Sequence, residues 1–95
     1  MINNKEYKLQ AKKIDFPVSF SIKVVMFTTT PDAVNRRTLK DIFEKLSIKH
    51  NNWQSKKSGE NKYIRYAVDI KLDNHPQMTA LYAALNEEEK VKFAL

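Results

Sequence analysis

The sequence predicts an α+β domain in which two helices cover one face of a four-stranded antiparallel sheet. Three observations predict it. Residues 16–27 and 62–73 alternate apolar and polar side chains with the period of two that β-strands show. Two other stretches, which begin near Pro31 and Pro76, repeat apolar residues at the spacing of an amphipathic helix. The one glycine, Gly59, marks a turn between two strands.

The first strand, residues 16–27, is the longest segment rich in β-branched and aromatic residues. One of its faces is wholly apolar and must be covered, whereas the other is polar at one end and can be partly solvated. This pattern is typical of an interior strand in a sheet that carries helices on one side. The covered face consists of Val18, Phe20, Ile22, Val24 and Met26.

A helix follows the first strand. Thr30 as the N-cap, Pro31 at the first helical position and Asp32 in the first turn form a helix start. The apolar stripe that follows indicates a helix of about four turns with one face on the core. That stripe consists of Leu39, Ile42, Phe43 and Leu46.

The next two strands form a hairpin, with a weak strand at residues 48–55, a turn at 56–61 and a regular strand at 62–73. Two registers are open. In the preferred one, Gly59 is left-handed in a three-residue loop, and Trp53 lies opposite Tyr63 on the face away from the helices. A four-residue loop would instead set Trp53 opposite Ile64 and turn it toward the core.

The second helix starts at residues 73–76 (DNHP) and should end near Leu85 or Asn86, because the acidic residues 87–89 oppose the helix dipole there. The chain then closes with a short strand. Its core-facing residues are predicted to be Val91, Phe93 and Leu95, with Lys92 and Ala94 outward.

The resulting βαββαβ order is that of the ferredoxin-like split βαβ sandwich, with strand order 4-1-3-2 and both helices on one face. Residues 16–95 form this single domain, and residues 1–15 form an N-terminal tail that docks, if at all, through Leu9 and Ile14.

The composition restricts the function classes. The 95 residues suffice for one domain, the formal net charge of +6 favours anionic partners, and the chain has no cysteine for thiolate chemistry or disulfides. The sequence has neither the apolar run of a signal peptide nor a stretch of the roughly 20 apolar residues that spans a membrane. We therefore expect a cytoplasmic protein without a membrane partner.

Three segments resemble the YbeD-like family of small bacterial proteins. They are the opening DFPVSFSIKVV, the hairpin and strand SGENKYIRYAVDI, and the closing ALYAAL with VKFAL; together they span residues 15–95. The turn in this sequence is longer than the family's usual one. The resemblance implies a fold similar to ACT regulatory domains and a regulatory role, which for some members is described as lipoate regulation. It implies no catalytic residues.

Catalysis is not expected. The loop after the first strand, TTTPD, lacks the glycines that cradle a phosphate, and no serine has an adjacent base. His50 lies on a strand and His75 at a helix start, without further ligands at metal-binding spacing. We therefore predict no enzyme activity, metal or other cofactor.

The remaining candidate is the sheet face that the helices leave open. It would carry five basic residues against Asp69, and its aromatic side chains would converge at one corner. The candidate binding residues are Phe27, Trp53, Tyr63, Arg65, Lys23 and Lys49, and the other two basic residues are Lys71 and Lys92.

Three uses of this face are open: cover by the tail or a loop, binding of a protein partner or a second copy, and stacking of single-stranded nucleic acid. An anionic ligand is a further possibility. Nucleic acid is less favoured, because RRM domains carry aromatic residues in the middle of both central strands, where this chain has Lys23 and Ala67. The sequence therefore predicts a non-catalytic regulatory or adaptor module that acts by binding a protein partner or small ligand.

Overall fold

The computed structural model describes residues 14–95, so that nearly all of the predicted tail lies outside the described residues. Ile14, at the start of the described chain, packs against the core. The six elements are β1 (Val18–Phe27), α1 (Asp32–Lys45), β2 (Lys49–Lys57), β3 (Tyr63–Leu72), α2 (His75–Glu87) and β4 (Val91–Ala94).

The four strands form one sheet in the order β2-β3-β1-β4, and every neighbouring pair is antiparallel. This confirms the predicted ferredoxin-like topology, since 4-1-3-2 is the same order counted from the other edge. The two central strands pair along their whole length, from Val18 opposite Leu72 to Phe27 opposite Tyr63. Strand alternation therefore runs unbroken across the middle of the sheet.

The core lies between the sheet and the two helices. Ile22, Val24 and Met26 of β1 are fully buried, as is Phe43 of α1 and Leu81 of α2. Each such side chain contributes about 2–3 kcal/mol by leaving water. The apolar stripes predicted from helical and strand spacing are the surfaces that meet here.

The two ends of α1 differ in how their free backbone N–H and C=O groups are capped. Pro31, rather than Thr30, occupies the N-cap position, and no side chain caps the first turn. At the other end Ser47 is left-handed (φ 57°), and the Ile48 amide donates to the Phe43 carbonyl at 2.8 Å. This is the Schellman pattern, with serine where glycine is usual, and it leads the chain directly into β2.

The second helix begins as predicted. The Asn74 side chain caps α2 by accepting a hydrogen bond of 2.9 Å from the Gln77 amide. The helix continues to Glu87, slightly beyond the predicted end at Leu85 or Asn86.

The hairpin between β2 and β3 differs from both predicted registers. Lys57 pairs with Ile64, and residues 58–62 form the connection. Gly59 does not have a positive φ; Asn61 takes the left-handed position instead (φ 57°). The prediction of a left-handed Gly59 is therefore wrong, because asparagine also tolerates that conformation and the longer loop places it there.

Two bulges shift the pairing register at the edges of the sheet. In β2 the register shifts between Asn51 and Gln54, and Asn52 is left-handed there (φ 53°). A second irregularity between Val25 and Met26 shifts the pairing with β4. Each extra residue inverts the side-chain alternation beyond it, so the two edge strands do not follow the simple period of two.

The bulge at β4 overturns the predicted orientation of that strand. Phe93 pairs with Val25, whose side chain faces away from the helices, and Ala94 is 5 % exposed within the core. The prediction had Phe93 inward and Ala94 outward. Val91 still packs against the core, as predicted.

Candidate functional site

The open face is the side of the sheet opposite the helices. On the central strands it carries the alternate residues whose neighbours are buried, such as Val25 and Phe27 of β1 and Tyr63 and Arg65 of β3. Its basic residues outnumber its one acid, Asp69, which accepts a 3.0 Å hydrogen bond from Asn52. The basic residues are Lys23, Lys49, Lys56, Arg65, Lys71 and Lys92, so that Lys56 adds to the predicted set.

One row of paired residues crosses all four strands of this face. Lys56 pairs with Arg65, Arg65 with Val25, and Val25 with Phe93. Neighbouring strands lie about 4.8 Å apart, so this row spans roughly 14 Å. It is cationic at the β2 end and apolar at the β4 end.

The Tyr63 ring lies beside this row and contacts two neighbouring side chains. Its ring centroid is 5.7 Å from that of Phe27, and the Lys92 ammonium lies 4.7 Å from the centre of the Tyr63 ring. A cation over an aromatic face is attracted by the ring quadrupole. The contact therefore holds one positive charge at the edge of the row.

The hairpin loop closes the β2 end of the site. Ser58 and Tyr63 exchange hydrogen bonds: the Ser58 amide donates to the Tyr63 carbonyl (2.8 Å), and the Tyr63 amide donates to Ser58 Oγ (3.2 Å). The Thr28 amide donates to the Lys62 carbonyl at 3.1 Å, which ties the loop to the end of β1. These bonds fix the loop that flanks Tyr63.

Together these residues line a groove of about 530 Å³, which we call the basic groove. It contains Lys56, Arg65 and Lys92 with the apolar surfaces of Val25, Tyr63 and Phe93. No acidic side chain lines it, and none of the salt bridges between residues of the described range 14–95 uses these three cations. Their charges are available to an anionic group.

Trp53 does not belong to this site. The bulge in β2 turns its ring toward the helices, where it lies 5.9 Å from Phe43 and 5.6 Å from His50. Trp53 Nε1 donates to His50 Nδ1 at 3.1 Å. The predicted corner of Phe27, Tyr63 and Trp53 is therefore wrong for Trp53, because the one extra residue between Asn51 and Gln54 of β2 reverses the parity on which the prediction depended.

The other predicted residues separate into two areas. Tyr63 and Arg65 line the basic groove, and Phe27 packs beside Tyr63 without lining it. Lys23 is half-buried further along β1 and donates to the Ser21 carbonyl at 3.1 Å. Lys49 is on the open face but pairs with Lys71, six residues along β3 from Arg65. At about 3.4 Å per residue this places Lys49 roughly 20 Å from the groove.

Sequence reasoning missed Lys56 and Phe93. The sequence predicts Lys56 in the turn, whereas β2 continues to Lys57, and it predicts Phe93 in the core, whereas the β4 bulge turns it to the open face. The sequence signal for the first bulge is the Asn51-Asn52 pair, since asparagine is the residue other than glycine that most readily becomes left-handed. The β4 shift has no comparable signal.

The histidines lie elsewhere. His50 Nε2 is 3.5 Å from Glu44 Oε2, and His75 packs edge-on against Phe16 with ring centroids 6.4 Å apart. Within residues 14–95, no three His, Cys, Asp or Glu side chains cluster in a way that could hold a metal ion.

The groups with shifted pKa values are on the helix side. A hydrogen bond from Tyr66 lowers the pKa of Asp32, with Arg36 adding to the effect, and burial together with that bond raises the pKa of Tyr66 to about 12. These residues join α1 to the sheet and do not line the basic groove.

Comparisons with known proteins place the chain in a family. Residues 11–95 match the family described as "Protein of unknown function (DUF493)", which is the YbeD-like family. The chain belongs to the DUF493 family. No curated protein matches the sequence.

Two solved structures share the fold of this DUF493 domain. The solution structure of protein HP0495 from H. pylori has a TM-score of 0.68 at 21 % identity, covering 87 % of this chain and 86 % of that one. The C-terminal domain of the MgtC protein from Mycobacterium tuberculosis has a TM-score of 0.65 at 12 % identity, with 87 % and 88 % covered. At these identities the likeness shows the fold alone. Neither helix of the described chain has the length and apolar character required to cross a membrane.

Proposed function

We propose that this DUF493 domain is a non-catalytic regulatory or adaptor module that acts by binding a protein partner on its open sheet face. The observation that carries the proposal is the basic groove, in which Lys56, Arg65 and Lys92 stand beside exposed apolar surface with no acid in the lining. Charged and apolar groups side by side on a surface that no residue of the range 14–95 covers are typical of a binding interface.

The charge of the face favours a partner of opposite sign over a second copy of the same face. Two open faces brought together would oppose six basic residues to six, with one acid on each side, and like charges at an interface cost several kcal/mol. A heterologous partner with an acidic surface avoids this repulsion. The family resemblance supports a regulatory role, and we assign no particular process to it.

The test compares charge reversals on the two sides of the domain. Tagged wild type, Arg65→Glu and Arg37→Glu are used to capture partners from a lysate of the source organism, and captured proteins are identified by mass spectrometry. Arg37 is exposed on α1, so it is a control with the same change of charge on the covered side. We expect an acidic protein that wild type and Arg37→Glu retain and that Arg65→Glu loses. Equal retention by all three would refute the role of the open face.

Single-stranded nucleic acid is the second candidate, because Phe27, Tyr63 and Phe93 share the face with the basic residues. Against it, the middle of the central strands pairs Lys23 with Ala67, which leaves no aromatic platform there. Anisotropy of a labelled oligothymidine decides between the two. Binding that is tight at about 150 mM salt and is lost in Tyr63→Ala would favour nucleic acid over a protein partner.

A further inference from the structure

We infer that the basic groove recognises an extended segment of the partner with the pattern acid–x–acid–x–apolar. The inference rests on the proposed function, and it names the chemistry and spacing of the bound segment. It depends on the row Lys56, Arg65, Val25, Phe93, whose two halves differ in character.

The spacing of the row sets the spacing of the segment. Three strand intervals separate Lys56 from Phe93, or roughly 14 Å, and one interval of roughly 5 Å separates Lys56 from Arg65. In an extended peptide, residues i, i+2 and i+4 point to one side and lie at roughly 0, 7 and 13 Å. A peptide across the strands therefore sets its first acid over Lys56, its second near Arg65 and its apolar residue over Phe93.

The chemistry at each position is complementary. Lys56 and Arg65 are both exposed, so that a partner carboxylate reaches them without displacing an ion pair between residues of the range 14–95. The Arg65 guanidinium can donate two parallel hydrogen bonds to one carboxylate. Val25 and Phe93 are half-buried and offer an apolar surface to the residue at i+4. Lys92, held over the Tyr63 ring, adds positive charge at the flank.

A helix fits this row less well. With a rise of 1.5 Å per residue, an acid over Lys56 and an apolar residue over Phe93 would be about nine residues apart. A helix would therefore need between two and three turns to use both halves of the row. The extended segment reaches both with five residues.

The experiment uses labelled nine-residue peptides with a central Glu-Ser-Glu-Ser-Leu and measures their fluorescence anisotropy with the full-length chain. Three altered peptides are compared: both Glu replaced by Gln, Leu replaced by Ser, and a register control in which Leu is moved from i+4 to i+3. The register control keeps composition and charge and turns the leucine to the opposite side of the chain.

We expect the Leu→Ser peptide and the register control to bind about tenfold more weakly than the parent, the effect of losing one well-formed contact, and the peptide with both Glu replaced by Gln to bind about a hundredfold more weakly, because it loses two. Arg65→Gln should weaken the Glu peptide about tenfold and leave the Gln peptide unchanged, because only the former pairs with Arg65. Phe93→Thr should remove the preference for Leu over Ser. Trp53 emission, which reports from the opposite side of the sheet, identifies any variant that fails to fold.

Three results would overturn the inference. Equal binding by the register control would show that only charge is recognised, and equal binding by Arg65→Gln would place the peptide elsewhere. Absence of binding by every peptide, together with a captured partner that depends on Arg65, would leave the proposed function standing and remove the extended segment as its recognition element.

Discussion

The hydroxyl group of Tyr66 donates a 2.7 Å hydrogen bond to Asp32 Oδ1, and so joins the middle of β3 to the first turn of α1. Arg36 completes the cluster, since its Nε lies 3.0 Å from Asp32 Oδ2 and its guanidinium lies 5.3 Å from the centre of the Tyr66 ring. Asp32 also lies at the positive end of the helix dipole, which stabilises a negative charge in the first turn. This cluster ties the first turn of α1 to the sheet.

The first prediction concerns Tyr66 at high pH. Burial and the bond to Asp32 raise its pKa from 10.0 to about 12, so the unfolded chain loses this proton first as the pH rises. The stabilisation is fully present below pH 10 and should disappear between pH 10 and about 12. Tyr66→Phe should cost about 1 kcal/mol at pH 8, and its difference from wild type should shrink toward pH 12.

Urea unfolding at pH 8 and pH 11 measures this, with Tyr63→Phe as the control because its ring is on the open face. A difference between wild type and Tyr66→Phe that stays constant with pH would contradict the prediction.

The second prediction concerns Asp32 in acid. Its pKa is lowered from 3.8 by the Tyr66 bond first and by Arg36 in addition, with burial opposing them. The carboxylate therefore stabilises the fold above pH 3.8, and this contribution is lost as the pH falls through the lowered pKa. We expect Asp32→Asn to be less stable than wild type at pH 6, and the difference to be smaller at pH 2.

Thermal unfolding at the two pH values gives the comparison. Asp41→Asn, an exposed change on the same helix, is the matched control and should show no such convergence. If the stabilities of both variants approached that of wild type at pH 2, the change would reflect general destabilisation by acid and would not be specific to Asp32.

The third prediction concerns Trp53. Since its ring packs on Phe43 and its Nε1 donates to His50, we expect Trp53→Ala to lower the free energy of unfolding by about 2–3 kcal/mol, somewhat less than for a fully buried tryptophan. Trp53→Phe keeps the apolar contact and loses the hydrogen bond, so it should cost about 1 kcal/mol.

Urea unfolding followed by circular dichroism measures both variants. The wild-type emission maximum should also be blue-shifted, with weak quenching by acrylamide. A red-shifted, readily quenched Trp53 in the wild type would place the ring in solvent and contradict the observed packing.

The fourth prediction concerns the hairpin loop. Asn61 is left-handed and its carbonyl accepts a hydrogen bond from Thr28 Oγ1, whereas Gly59 has no positive φ and open space around its Cα. Gly59→Ala should therefore change stability by less than about 1 kcal/mol, in either direction. Asn61→Val should cost about 1–2 kcal/mol through backbone strain, and Asn61→Gly should cost much less.

These three substitutions in one loop control for each other in thermal unfolding. The opposite ranking, with Gly59→Ala costly and Asn61→Val harmless, would restore the left-handed position to Gly59 and change the register of the hairpin.

The family assignment and the fold topology could be predicted from the sequence because they depend on patterns that each segment carries by itself. Residues 18–27 and 63–72 place apolar side chains at every second position throughout, and the structure pairs them without a shift. The two helical stripes, around Leu39 and Phe43 and around Leu81 and Leu85, are buried against those strands as predicted. Periodicity determines which face is apolar, and the apolar face determines which side the helices cover.

The tertiary structure alone decided what the edge strands present. β2 is a weakly patterned strand in which Asn51 and Asn52 accommodate a bulge, and the short β4 follows a shift beside Met26. A bulge reverses the side-chain parity beyond it, so that Trp53 turns to the helices while Phe93 turns to the open face. Such a shift is set by packing between segments far apart in the sequence: the Asn51-Asn52 pair permits the bulge in β2, and β4 carries no local signal for its own shift.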